Sequence, residues 1–245
     1  MGNIIIMELS LENRKILIYG ATGGIGKAIC KELKKQNAEL FLIGRSKQKL
    51  TPLADELEIP DRHSFQIDAL NSEESLQKIF QWLGPFKGEG FFAGFHCVGA
   101  GHNQRAKEIS YEKWEQIVNL NLNSAFLFYK LLWSIRYIKR TELVYFGSAS
   151  TDNAWPKNSL YGASKAGLEY FAKALQNEVQ TDNGRVWLYR PGAVRTQFFD
   201  QIKNHLPKEK MIHPQQLAKI VVSNLIIDHD IHFPEIELLS GSNSF

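Results

Sequence analysis

The chain has little cysteine. Cys30 and Cys97 are its only two, both in apolar segments, and two cysteines make neither a disulfide framework nor a zinc set. They read as buried free thiols in a reducing compartment. Long apolar runs are also missing: no stretch reaches the roughly 18 residues that suggest a membrane helix. Ile4-Ile5-Ile6 is too short for a secretory core and lacks a basic flank. Met1-Gly2 opens like a myristoylation start, but Ile6 occupies the position that needs Ser or Thr. The expectation is a cytoplasmic protein with no membrane partner. No block of like charge stands out among 29 basic and 26 acidic residues, and Lys31, Lys34 and Lys35 read as one solvated helix face. Nothing here asks for nucleic acid. Linkers, compositional breaks and internal repeats are absent as well, so residues 1–245 read as a single domain.

What is present is an alternation of short apolar runs with helical periodicity. Strands are expected at Lys15–Tyr19, Ala38–Ile43, His63–Ile67, Phe91–Val98, Leu143–Phe146, Val186–Tyr189 and Ile236–Leu239. Helices are expected between them, with Asn71-Ser72 starting one whose first turn holds Glu73 and Glu74. The economical fold is α/β: one doubly wound, Rossmann-type parallel sheet of about seven strands flanked by helices. Residues 197–212 read as a substrate lid, beginning with a short helix from Gln197.

Three stretches carry chemistry. The first strand runs into Gly20-Ala21-Thr22-Gly23-Gly24-Ile25-Gly26, and a helix follows. Glycines there permit a tight turn, close approach of backbone to a pyrophosphate and packing of helix on strand, while the helix start offers free N–H groups. The second strand ends in Gly44-Arg45-Ser46-Lys47, with no acidic residue to hold ribose hydroxyls or repel a 2′-phosphate. Arg45 offers a fork suited to that phosphate, so charge favours NADP(H) over NAD(H); an exposed basic turn is the bland alternative. The third stretch runs from Gly147-Ser148 to Lys165. Tyr161 and Lys165 lie four apart on one helix face, where a lysine ammonium lowers a nearby phenol pKa. Alone, that spacing arises by chance. Small residues at Gly99-Ala100-Gly101 leave room for a ligand, and the asparagines Asn119, Asn121 and Asn123 conflict with a plain helix. Asp68 either meets an adenine edge or caps a loop. Asp228 to His232 mimics a metal site but reads as a surface loop, so no metal is expected.

Taken jointly, these residues resemble the short-chain dehydrogenase/reductase family in its single-domain branch, over about Leu9 to Leu239. The glycine turn matches at Gly20, Gly24 and Gly26, with Tyr19 where threonine is usual. The family's catalytic serine falls on Ser148, 13 residues before Tyr161, and its helical asparagine on Asn121. Its proline-glycine segment falls on Pro191, Gly192 and Thr196. His96-Cys97-Val98 departs from the family's two asparagines and an alanine, and His96 reads as structural.

The resemblance implies a hydride-transferring oxidoreductase acting on a carbonyl or secondary alcohol. Tyr161 would be the general acid or base, Lys165 would lower its pKa, Ser148 would bind the substrate oxygen and Asn121 would hold a relay water. It implies a cofactor lined by Gly20, Thr22, Gly23, Gly24, Ile25 and Gly26, by Arg45 and Ser46, and by Asp68 and Ala69. Cys97, Val98, Gly99, Tyr161, Lys165, Pro191, Gly192, Val194 and Thr196 complete that lining. A homodimer or homotetramer paired through helices near 120–138 and 160–179 is also implied. An NAD-dependent alcohol dehydrogenase, a 3-oxoacyl-thioester reductase and a non-catalytic cofactor-sensing protein are the competing readings.

Overall fold

In a computed structural model, the structure describes residues 10–86, 88, 90–200, 207–226, 233 and 235–241, with Asp200 described in its backbone alone. Among these residues the strands form one seven-stranded parallel sheet. They are β1 (Lys15–Tyr19), β2 (Glu39–Gly44), β3 (Ser64–Gln66), β4 (Ala93–His96), β5 (Thr141–Phe146), β6 (Gly184–Pro191) and β7 (Glu235–Leu238). Their order is β3-β2-β1-β4-β5-β6-β7. Strand order reverses between β1 and β4, which opens a crevice at the carboxyl ends of the strands.

Period-two alternation assigns the two sheet faces. Ile16, Ile18, Leu40, Leu42, Val144 and Trp187 pack beneath α1 (Gly24–Lys35), α2 (Lys47–Glu56) and α8 (Pro214–Leu225). The intervening Leu17, Phe41, Ile43, Leu143, Tyr145 and Leu188 face α3 (Glu73–Leu83), α5 (Ser124–Ser134) and α6 (Ser159–Val179). Strands covered on both faces read as continuous apolar runs, which is why they were legible. α4 (Tyr111–Val118) precedes α5, and the short α7 (Gln197–Asp200) follows β6.

Element ends differ from the sequence expectation. β4 is four residues rather than eight, because Phe91 and Phe92 approach it from an isolated bridge and Cys97 and Val98 already turn toward the crevice. β5 and β6 extend further than their apolar cores, since β5 begins with Thr141 and Glu142. Glu142 is fully buried, and its carboxylate accepts from Arg140, from Arg185 at 2.9 Å and from Trp187 Nε1 at 2.7 Å. A strand that buries a carboxylate this way defeats an apolar pattern search. Ser72 caps α3 as expected, its hydroxyl accepting the Ser75 N–H at 3.2 Å in a reciprocal capping box. Residues 201–206 of the expected lid, and the Asp228–His232 stretch, lie outside the described residues.

Candidate active site

The glycine turn follows β1 directly. Gly20 sits at φ +85, a left-handed conformation that favours glycine, and a Cβ there would stand 2.9 Å from Val98 Cγ2 and 3.0 Å from the Cys97 carbonyl carbon. A Cβ on Gly26 would fall 2.2 Å from the Gly20 carbonyl oxygen, so this position admits no side chain without moving the turn. Lys27 N–H donates to the Gly23 carbonyl at 2.8 Å. Helix geometry leaves the N–H groups of Gly24, Ile25 and Gly26 without intrahelical acceptors, and they carry the positive end of the α1 dipole. Val194 is buried in the core, and Ile25 packs against it partly exposed.

Other expected residues gather around this turn. Gly44 lies against Thr22, with its Cβ position 3.4 Å from Thr22 Cγ2. Thr196 packs on Gly24 from the far side of the crevice. Asp68 and Ala69 sit in the loop after β3, held where Ile67 N–H donates to the Gly44 carbonyl at 3.1 Å and Leu70 N–H to the Tyr19 hydroxyl at 2.9 Å. Tyr19 therefore replaces a small residue with a phenol that ties this loop to β1. Burial raises the Tyr19 pKa, while Arg45 is near enough to pull it the other way. Arg45 is exposed and forms no salt bridge among the described residues. Ser46 is the residue before α2, without a side-chain capping bond. A cavity of about 650 Å³ flanks the turn between α1, α2 and residues 195–199 and 208–215, with Lys27, Lys49 and Arg195 in its wall. It does not reach Tyr161.

The proton-handling residues meet at the carboxyl ends of β4 and β5. Ser148 follows β5, and its hydroxyl lies 2.9 Å from that of Ser150 and is close enough to Tyr161 to favour its phenolate. Tyr161 and Lys165 share one face of α6, as their spacing demands. Lys165 donates to the Phe146 carbonyl at 2.7 Å, and burial draws its pKa down to about 8 against the opposing charge of Glu169. The Cβ position of Gly99 is 3.3 Å from Lys165 Nζ and 3.5 Å from Asn121 Oδ1, so the bare loop, the lysine and the asparagine surround one space.

Burial is the largest influence on Tyr161 and pushes its pKa up to about 12, with Ser148 opposing. The ammonium is engaged with Phe146, and desolvation disfavours phenolate more than the neighbouring serine restores it.

The asparagine conflict has a structural resolution. Residues Asn119–Asn123 form a π-helical turn between α4 and α5. Ser124 donates to the Leu120 carbonyl at 2.7 Å, four residues back. The single hydroxyl proton is thus spent, so Ser124 Oγ accepts from His96 Nε2 at 2.7 Å and His96 Nδ1 is the bare nitrogen. Burial and the Lys165 charge push the His96 pKa down to about 3, which keeps the ring neutral. The turn aims Asn121 at the loop after β4, where Oδ1 accepts the Ala100 N–H at 2.8 Å and Nδ2 donates to the Ala100 carbonyl at 3.0 Å and to Ser164 at 2.9 Å. π-turns of this kind concentrate at functional sites. Sequence reasoning named Asn121 but missed Ser124 and Glu169, whose only signals were their four-residue steps from Leu120 and Lys165.

The family model described as short chain dehydrogenase matches residues 14–207. The chain belongs to the short-chain dehydrogenase family. A 3-oxoacyl-acyl-carrier-protein reductase of Aquifex aeolicus is 26% identical over 235 residues, covering 88% of this chain and 91% of that protein. An uncharacterized oxidoreductase of Staphylococcus haemolyticus is 24% identical over 233 residues, covering 92% and 96%. Among solved structures, a short-chain dehydrogenase of Shigella flexneri complexed with NADP superimposes with a TM-score of 0.83 at 22% identity, covering 94% of this chain and 98% of that one. One from Escherichia coli complexed with NADPH gives 0.82 at 22% identity, covering 93% and 97%. At that identity the likeness establishes the fold of this short-chain dehydrogenase. Its chemical class is oxidoreductase. Among the described residues no helix is long and apolar enough to cross a membrane.

Proposed function

We propose that this short-chain dehydrogenase is an NADP(H)-dependent oxidoreductase acting on a carbonyl or secondary alcohol, with Tyr161 as its general acid or base. The observation that carries the reading is the convergence of Ser148, Tyr161, Lys165 and Asn121 beside the bare Gly99, on the crevice that the glycine turn enters. A nicotinamide dinucleotide fits the chain: Gly20, Gly24 and Gly26 leave no room for side chains, the start of α1 presents free N–H groups, and Arg45, without an ion-pair partner among the described residues, offers a fork to a 2′-phosphate. Lys27, Lys49 and Arg195 on the flank of the turn add positive potential for a polyanionic cofactor. When bound, the reduced nicotinamide supplies hydride.

The protein supplies position and a proton. A phenol pushed up to about 12 is protonated at neutral pH, so Tyr161 holds a proton to donate to a carbonyl oxygen. Ser148, beside Tyr161, would share that oxygen. A cationic Lys165 favours the phenolate left after donation. The 3-oxoacyl-thioesters implied by the name of the Aquifex relative belong in the first substrate panel. Exposed Trp114, Phe126 and Tyr170 on α4, α5 and α6 support a homo-oligomer paired through these helices.

Cofactor titration by nucleotide fluorescence is expected to give tighter binding of NADPH than NADH, and Arg45→Ala to remove at least about 1.4 kcal/mol, or tenfold, of that preference. Tighter NADH binding in the unmodified protein refutes the Arg45 argument. In a carbonyl panel read by NADPH oxidation, Tyr161→Phe should cut kcat by about 10²-fold or more while leaving NADPH affinity intact. Turnover unchanged in that variant removes Tyr161 from its role.

A further inference from the structure

Glu169 lies on α6 one turn beyond Lys165 and two beyond Tyr161, and it is 7% exposed. A carboxylate in such a place is costly unless its oxygens are satisfied. Here they are. Oε1 accepts the Ser148 backbone N–H at 2.8 Å, and Oε2 accepts the Thr151 hydroxyl at 2.8 Å and stands 3.3 Å from Arg190 Nε. Gly147 makes the space, since a Cβ there would come within 2.4 Å of Oε1. The carboxylate therefore grips the main chain of Ser148, the serine beside Tyr161, and does so from the helix that carries Tyr161 and Lys165.

We infer that Glu169 is a positioning residue for proton transfer: it holds Ser148 against Tyr161 and keeps a negative charge behind Lys165, with Arg190 setting how much of that charge Lys165 feels. This rests on the reading of Tyr161 above. Arg190 comes from β6 and also contacts Asp152 at 2.5 Å, Glu235 at 2.8 Å and Glu237 at 3.3 Å, while Lys173 of α6 pairs with Glu235 at 2.6 Å. From the end of β4, neutral His96 and the Cys97 thiol face Lys165. Glu169 thus stands between one shared guanidinium and one ammonium. Burial draws the Lys165 ammonium toward deprotonation and Glu169 opposes it. Removing the Glu169 charge lets the ammonium be lost at lower pH. Removing the Arg190 charge does the reverse, because the Glu169 carboxylate it offset then bears on Lys165 in full.

The test is the pH dependence of kcat/KM with saturating NADPH, in enzyme whose folding is checked by thermal unfolding. Glu169→Gln keeps an acceptor for Ser148 but loses the charge. Its basic limb should move to lower pH by about one unit, so that turnover at pH 8 drops roughly fivefold while NADPH affinity stays within about twofold. Arg190→Gln should move the same limb to higher pH. General damage to the site gives no such opposition of sign. Both variants moving the limb the same way, or neither moving it, overturns the inference. Should Glu169→Gln not fold, Arg190→Gln still decides: an unchanged or acid-shifted limb overturns it. Tyr161→Phe in the same series separates the two claims, because turnover surviving there refutes the role of Tyr161 rather than that of Glu169.

Discussion

His96 shows how a single side chain changes meaning between sequence and structure. In the sequence it departs from the family's asparagine and carries no sign of its partner, 28 residues away. In the fold it is a neutral donor to Ser124, wedged against Tyr19, Phe128 and Tyr145. Its pKa of about 3 against an ordinary 6.5 makes it an acid-labile element. Between those values the unfolded chain binds a proton that the folded chain refuses, so stability falls as pH drops from 6.5 toward 3. His96→Asn is expected to lose part of that dependence. Urea unfolding at pH 7 and pH 4.5 should show a smaller difference between the two pH values in the variant than in the parent, and an equal difference counts against the assignment. Lys165 has the same direction of shift in a higher window. Its contribution alone makes folding more favourable as pH rises from about 8 to 10.5.

At the scale of the element, the glycine turn and the π-turn place backbone rather than side chains. The turn was legible as strand, glycines and helix; Gly23 and Gly26 answer atoms of the turn itself, whereas Gly20 and Gly24 make room for Val98, Cys97 and Thr196 from elsewhere in the fold. Gly26 is the sharpest case, with its Cβ position 2.2 Å from a carbonyl oxygen that is itself backbone and cannot swing aside. Gly26→Ala should lower NADPH affinity by at least tenfold and destabilise the fold by about 1–3 kcal/mol. Gly84→Ala provides the control, since nothing lies within 4 Å of its Cβ position and its backbone is helical; equal effects at the two sites count against the steric argument. The π-turn was legible only as a conflict. Three asparagines in mid-helix signalled that something interrupts the segment, but the bond from His96 to Ser124 and the grip of Asn121 on Ala100 depend on β4 and its following loop lying alongside. The proposed lid is the least legible element. Its described start places Phe198 against the Tyr161 ring, centroids 5.8 Å apart, a contact that no periodicity signals.

At the scale of the molecule, the surface of α4, α5 and α6 leaves Trp114, Phe126 and Tyr170 exposed beside the helices that carry the site. Burying them between two copies would hold the Tyr161–Lys165 helix in place from outside. Sedimentation velocity at micromolar concentration is expected to show a dimer or tetramer, and Phe126→Glu with Tyr170→Glu to shift it to monomer with reduced turnover. A monomeric parent protein rules this surface out as a stable interface.

The sequence by itself determined the alternation of elements, the doubly wound sheet, the glycine turn, the Tyr161–Lys165 pair and the family. All of these rest on local rules: period two, period 3.6, and glycine where no Cβ fits. Tertiary structure alone decided the state of the proton-handling groups. The Tyr161 phenol is held protonated by burial, Lys165 is drawn down to about 8, and Glu169, Arg190, His96 and Ser124 reach the site across separations of up to tens of residues. Desolvation depends on everything packed around a group. A spacing of four therefore establishes that two side chains are neighbours, but not which of them keeps its proton.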